Sequence, residues 1–152
     1  EKHHRACQKL LCKNDHPKLN KFAVSTEDLV NIYVLFIRSR LEYSAVVWHS
    51  SITQGEQIEL ERVQKVALRL ILQGEYENYA NALQLTNLER LSDRRTELCL
   101  RFAKKCIKSQ HSQDLFPLNK NNHHEKYFVK FAKTDRLKDS AIPYMQRLLN
   151  SA

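Results

Sequence analysis

Five side chains near the amino end, His3, His4, Cys7, Cys12 and His16, form the densest set of metal-capable donors in the sequence. Imidazole nitrogen and thiolate sulfur are the ligands zinc prefers, and His4-x2-Cys7-x4-Cys12-x3-His16 approximates a zinc-knuckle spacing. Structural zinc sites pair their cysteines more tightly, on turns. The same residues also suit a histidine-rich helix with two small buried cysteines, so no metal site is assigned. His49 beside Ser50 and Ser51 is the one hint of hydrolase chemistry. Gly55 and Gly74 stand alone, so no Gly-rich phosphate loop is present, and neither G-x-S-x-G nor H-E-x-x-H occurs. The only adjacent acids, Glu27 and Asp28, are accounted for by helix capping. The sequence therefore offers no convergent catalytic group and implies no cofactor.

The remaining chemistry is cationic. Arg94, Arg95, Arg101, Lys104, Lys105 and Lys108 crowd one expected helix. Such a row suits phosphate oxygens, which Lys and Arg neutralise without reading bases. It also suits a solvated face with lysines near a helix C-terminus, where the dipole favours cations. The charge distribution adds weight to an anionic partner. The 152-residue chain has a formal net charge of +8. Residues 1–24 carry six Lys/Arg against two acids, residues 25–90 six against nine, and residues 91–152 thirteen against six. The excess sits at the two ends, a pattern that favours nucleic acid over membrane as a partner.

The elements that must hold these residues are helical. Two glycines and three prolines leave little turn chemistry for a many-stranded sheet, and the apolar residues recur at helical steps. The expected class is all-α, a bundle around one long central helix over residues 25–48. Ser25 and Asp28 have capping-box-like spacing, and no Gly or Pro follows before Trp48. Leu29, Ile32, Tyr33, Phe36, Ile37, Leu41 and Val47 or Trp48 recur at three- and four-residue steps, while Val30, Val34, Leu35, Ala45 and Val46 fill most other faces. A helix apolar nearly all round is expected to have neighbours on several sides. Arg38, Arg40 and Glu42 exclude a membrane span there.

Before it, residues 2–13 form a basic amphipathic helix that His16-Pro17 ends. After it, a helix over about 55–72 carries a stripe of Ile58, Val63, Val66, Ala67, Leu70 and Ile71, with Gly74 as its stop. A short helix over about 77–84 follows. A long helix over about 88–109 has Leu91, Leu98, Cys99, Phe102, Cys106 and Ile107 as its core stripe. Leu115–Leu118 reads as an apolar plug and residues 119–124 as an exposed loop. The alternation around Phe128, Lys130, Phe131 and Lys133 suggests an extended segment or a single short strand pair. Ser140 and Pro143 open a terminal helix. The expected organisation is a basic segment 1–24, a helical bundle 25–109 and an extension 110–152. Cys7, Cys12, Cys99 and Cys106 read as thiols. No signal-peptide pattern is present, and Glu1 in place of Met leaves an upstream start as the expectation.

The blocks FIRSRLEYSAVVWHSS, ERVQKVALRLIL, NALQLTNLERLSDRRTELCLRFAKKCIKSQ, LFPLN and RLKDSAIPYMQRLLN occur in this order. Together they resemble the region after the polymerase palm in reverse transcriptases of non-LTR (LINE-type) retrotransposons. The most specific pieces are Arg38-Ser39 before Leu41-Glu42-Tyr43 with Trp48 following, Val63-Gln64, and Arg94-Arg95. The resemblance covers nearly the whole chain and is strongest over about 22–118. It implies a thumb-like helical bundle that grips a template–primer duplex through its backbone, with a palm domain as neighbour. The family's catalytic signature is an aspartate pair, and no Asp-Asp occurs in this sequence, so the implied fragment is non-catalytic. The family's cycle implies a cytoplasmic or nuclear location. Within the basic row, Arg94 and Arg95 are the recurrent positions. They suit phosphate contact or bridging to acids such as Glu89 or Glu42 that fixes helix packing, and for one of the two the structural role is the favoured reading. Tyr43 and Trp48 read as core anchors.

Overall fold

The Ser25 side chain accepts a hydrogen bond from the Asp28 amide at 3.1 Å and donates to the Asp28 carboxylate at 2.7 Å. That cap opens helix α1, Thr26–Ile32. This and every later detail comes from a computed structural model, which describes residues 24–119, 126–129 and 131–151. The helix expected over 2–13, with its His/Cys group, lies outside the described residues. So does most of the loop expected over 119–124.

The described chain is all-α. Helix α1 runs into a π-helical segment, Tyr33–Arg38, and then into α2, Ser39–Glu42. Tyr33, Ile37 and Leu41 turn inward at four-residue steps. In a 3.6-residue helix each such step drifts by about 40°. Wider π turns hold more residues and offset that drift. Helix α3, Ala45–Trp48, and a 3-10 turn, His49–Ser51, follow a break. Next come α4, Gln54–Leu72, and α5, Tyr79–Leu85, which Asn78 caps at the Asn81 amide. Helix α6 spans Leu91–Lys108, α7 Asp135–Lys138 and α8 Ala141–Ser151. Among the described residues there is no strand, only an isolated antiparallel bridge between Leu118 and Tyr127.

Four expectations are corrected. The helix expected over 25–48 is not continuous, because Ser44 adopts a left-handed φ of 52° and starts a new helix. Nor is it enclosed on all sides: Leu35 and Phe36 are about two-thirds exposed, and Tyr43, expected as a core anchor, is 78 % exposed. On α4 the buried line is Val63, Gln64, Ala67, Leu68 and Leu72, and Ile58 is exposed. The stop after α4 is made by Gln73 at φ 48°, whereas Gly74 has no positive φ.

Two compact units divide the chain: Glu1–Tyr43 with Gln54–Ser92, and Ser44–Thr53 with Asp93–Ala152. These boundaries cut across the span 25–109 expected as one bundle. In the first unit, Leu41, Val63 and Leu91 form one apolar cluster and Leu68, Leu72 and Ala82 another. A polar seam joins its helices. The Tyr33 hydroxyl donates to Gln64 Oε1 at 2.9 Å, and Gln64 Nε2 donates to the Glu89 carbonyl at 2.8 Å. The Tyr79 hydroxyl donates to Glu61. The Glu61 carboxylate also accepts from the Leu91 amide at 3.3 Å. An acidic group there satisfies a first-turn donor of α6 and suits its dipole.

In the second unit the core is Cys99, Ala103, Cys106, Phe116, Tyr127 and Met145, with Val46, Ile142 and Leu149 against it. Of the expected plug only Phe116 is buried, and Leu115 and Leu118 are exposed. The extended segment is clamped by Asn150, whose side chain bonds both the amide and the carbonyl of Tyr127 at 2.9 Å.

Candidate nucleic-acid interface

Helix α6 carries all six cations of the expected row, and its core line decides which of them face solvent. Leu91, Arg95, Cys99, Ala103 and Cys106 are the buried positions, at steps of three and four. Arg95 therefore occupies a core position, with none of its surface exposed. Its guanidinium carbon sits 5.7 Å from the centre of the Trp48 ring, a cation–π geometry. Its Nε donates to His49 Nδ1 at 3.3 Å.

That bond sets the chemistry of His49. An arginine does not give up its proton, so Nδ1 is the acceptor and the ring hydrogen belongs on Nε2. Nε2 lies 3.2 Å from Thr96 Oγ1, within reach to donate. The ring meets Tyr144 edge-on, with centroids 5.8 Å apart and planes at 82°. Burial, and then the Arg95 charge, push the His49 pKa down to about 4. The imidazole is thus neutral and occupied on both nitrogens. His49 serves as a tautomer-locked link between the Ala45–Ser51 segment, α6 and α8. Cys99, one turn beyond Arg95, is also set by burial, which pushes its thiol up to about 11. A thiol held protonated is a poor nucleophile and a poor metal ligand.

The other cations divide by exposure. Arg94 is half-buried and already engaged by the protein. Arg101, Lys104, Lys105 and Lys108 are exposed. Arg101 is held by Glu97 one turn earlier, with Nε 2.7 Å from Oε1. Lys104, Lys105 and Lys108 make no ion pair among the described residues. From Arg101 to Lys108 the exposed row covers about 10 Å of helix, given a rise of about 1.5 Å per residue. This row belongs to the second unit, whose residues 93–152 carry thirteen Lys/Arg against six Asp/Glu.

Sequence reasoning missed the Arg95–His49–Trp48 cluster. The four-residue spacing of Leu91, Arg95 and Cys99 marks Arg95 as inward-facing, but a count of apolar positions passes over a charge. The aromatics of the C-terminal segment divide as well: Tyr127 is buried, whereas Phe128 and Phe131 are exposed, Phe131 by 81 %. Among the described residues no three His, Cys, Asp or Glu side chains are grouped to hold a metal ion. None of the described helices is long and apolar enough to cross a membrane. No protein-family model matches the chain, and neither a curated protein nor a solved structure matches it.

Proposed function

We propose that this chain is a non-catalytic, thumb-like module of a non-LTR retrotransposon reverse transcriptase, holding template–primer duplex by its phosphates. The exposed row Arg101, Lys104, Lys105 and Lys108 on one face of α6 carries the proposal. Arg95 has no part in it, since a side chain without exposed surface meets no phosphate. Arg94 contributes at most from the margin. Binding of this kind is indifferent to sequence and steeply salt-dependent, because each neutralised phosphate releases counterions. The missing palm would supply the catalytic carboxylates, and the family's cycle would bring the protein to the cytoplasm or nucleus.

Fluorescence anisotropy with an RNA–DNA hybrid across a salt series tests the proposal. The quadruple variant Arg101→Ala/Lys104→Ala/Lys105→Ala/Lys108→Ala loses the row and leaves the Arg95 cluster intact. Its log–log salt slope should fall by up to about 3.6, at roughly 0.9 per lost phosphate contact. Equal slopes, or no binding by the parent chain, would reduce the row to a solvated face.

A second reading has its own observation. Ile32, Leu35 and Phe36 leave an apolar face uncovered on the first helix, as a scaffold remnant that once packed on another domain would. Such a remnant would show no preference for duplex.

A further inference from the structure

The exposed face of the first helix is apolar in the middle and oppositely charged at its ends. Ile32, the last residue of α1, is 48 % exposed, and Leu35 and Phe36, in the π-helical segment that continues it, are 66 % and 67 % exposed. Asp28 is exposed one turn before this group and Arg40 one turn after it. The order along the face is thus acid, three large apolar side chains, base.

That order is its own complement when reversed. The midpoint of positions 28 and 40 is 34, and the apolar positions 32, 35 and 36 straddle the same point. Laid antiparallel on a copy of itself about position 34, the helix sets Asp28 against Arg40 twice. It also sets Ile32 against Phe36 twice, with the two Leu35 side chains near the axis. A two-fold contact needs this self-complementarity, in which one patch serves both subunits. A generic apolar partner would need no base at the position that mirrors the acid.

We infer that this face is the interface of an antiparallel, two-fold homodimer of the chain. Ile32, Leu35 and Phe36 form its dry centre, and Asp28 of each copy meets Arg40 of the other at the rim. Charged rims of this kind set register more than they add affinity. The interface lies in the first unit and uses none of the α6 cations. It therefore goes beyond the nucleic-acid proposal and stands independently of it.

Sedimentation velocity on the whole chain over a concentration series reads the outcome. The parent chain should pass reversibly from monomer to dimer. Phe36→Glu or Leu35→Glu should raise the dissociation constant at least about 100-fold, because symmetry removes each buried side chain twice. These positions face solvent in the monomer, so far-UV circular dichroism should stay unchanged. Asp28→Arg or Arg40→Asp alone should weaken the dimer by about 3- to 30-fold at low salt. Asp28→Arg with Arg40→Asp in one chain should restore it to within about threefold.

A parent chain that stays monomeric up to millimolar concentration overturns the inference. So does self-association that survives Phe36→Glu, which would locate it on another surface. Failure of the charge swap to restore the dimer, with helix content unchanged by circular dichroism despite the lost Ser25–Asp28 bond, overturns the antiparallel register. Hybrid binding, measured on the Phe36→Glu chain, separates the two proposals. Duplex binding by that monomer leaves the α6 grip standing whatever the dimer result, and a dimer that ignores duplex leaves only the interface.

Discussion

His49 gives the structure a stability that depends on pH in a calculable way. Its ring is buried, accepts from Arg95 Nε at 3.3 Å and lies 3.2 Å from Thr96 Oγ1. Burial disfavours the charged ring, protonation would also set it against the Arg95 cation, and its pKa accordingly falls to about 4. In the unfolded chain a histidine titrates near 6.5. The folded state therefore resists a proton that the unfolded state accepts. Stability is complete above about pH 6.5 and declines as pH falls toward 4, where both states carry the proton. The gap of about 2.5 pKa units at about 1.4 kcal/mol each sets the full loss near 3 kcal/mol, of which about 2 kcal/mol is gone by pH 5.

The comparison variant is His49→Asn, which keeps an acceptor near the Nδ1 position and has nothing to titrate. It should be weaker at pH 7.5, having lost the Thr96 bond and the ring edge against Tyr144. Urea unfolding of both proteins at pH 7.5 and pH 5 cancels every other titrating group. The stability difference between them should shrink by about 2 kcal/mol at the lower pH, roughly 1 M in the urea midpoint. A difference that stays constant across that interval would refute the reasoning. So would an NMR titration of the His49 ring with a midpoint near 6.5.

Two other expectations concern the fold. Tyr33→Phe removes the donor to Gln64 Oε1 and leaves a buried acceptor unmet, which should cost about 1–2 kcal/mol by chemical denaturation. A loss below about 0.3 kcal/mol would mean that the seam is not sealed from water. Ser44→Gly relieves the left-handed backbone at φ 52° and should stabilise by about 1 kcal/mol, while Ser44→Val should destabilise by a similar amount or more. Thermal melts in the opposite order would place the break between α2 and α3 elsewhere.

The parts of the fold that could be read in advance are those where local chemistry and tertiary packing agree. The Ser25–Asp28 cap, the extents of α4 and α6, the terminal helix and the buried thiols Cys99 and Cys106 are of this kind. The break at Tyr43–Ser44 left no local mark, since neither Gly nor Pro is near and serine is an ordinary helix residue. Only tertiary packing turns Ala45 inward after Leu41, and a serine in the left-handed region is the conformational cost. Likewise, Ile58 and Phe102 fit a hydrophobic period and still face solvent, because the neighbouring elements cover a line one residue away. Periodicity names a face but not its width.

The contrast between Arg95 and Lys105 follows from their places on one helix. Both are cations, ten residues apart in one basic row of the sequence, where only Arg94 and Arg95 carry an alternative packing role. The core line of α6 passes through 95, 99, 103 and 106, so Arg95 gives up solvent for a ring face and an imidazole. Lys105 falls between the buried positions and stays exposed. A buried guanidinium is costly to desolvate, and a well-packed apolar residue of similar volume is often no less stable in such a place. Its position is better accounted for by geometry: a rigid planar fork that aligns Trp48 and fixes the tautomer of His49. The α6 cations thus fall into two groups: Arg95, buried against Trp48 and His49, and an exposed row in which Arg101 pairs with Glu97 while Lys104, Lys105 and Lys108 face solvent.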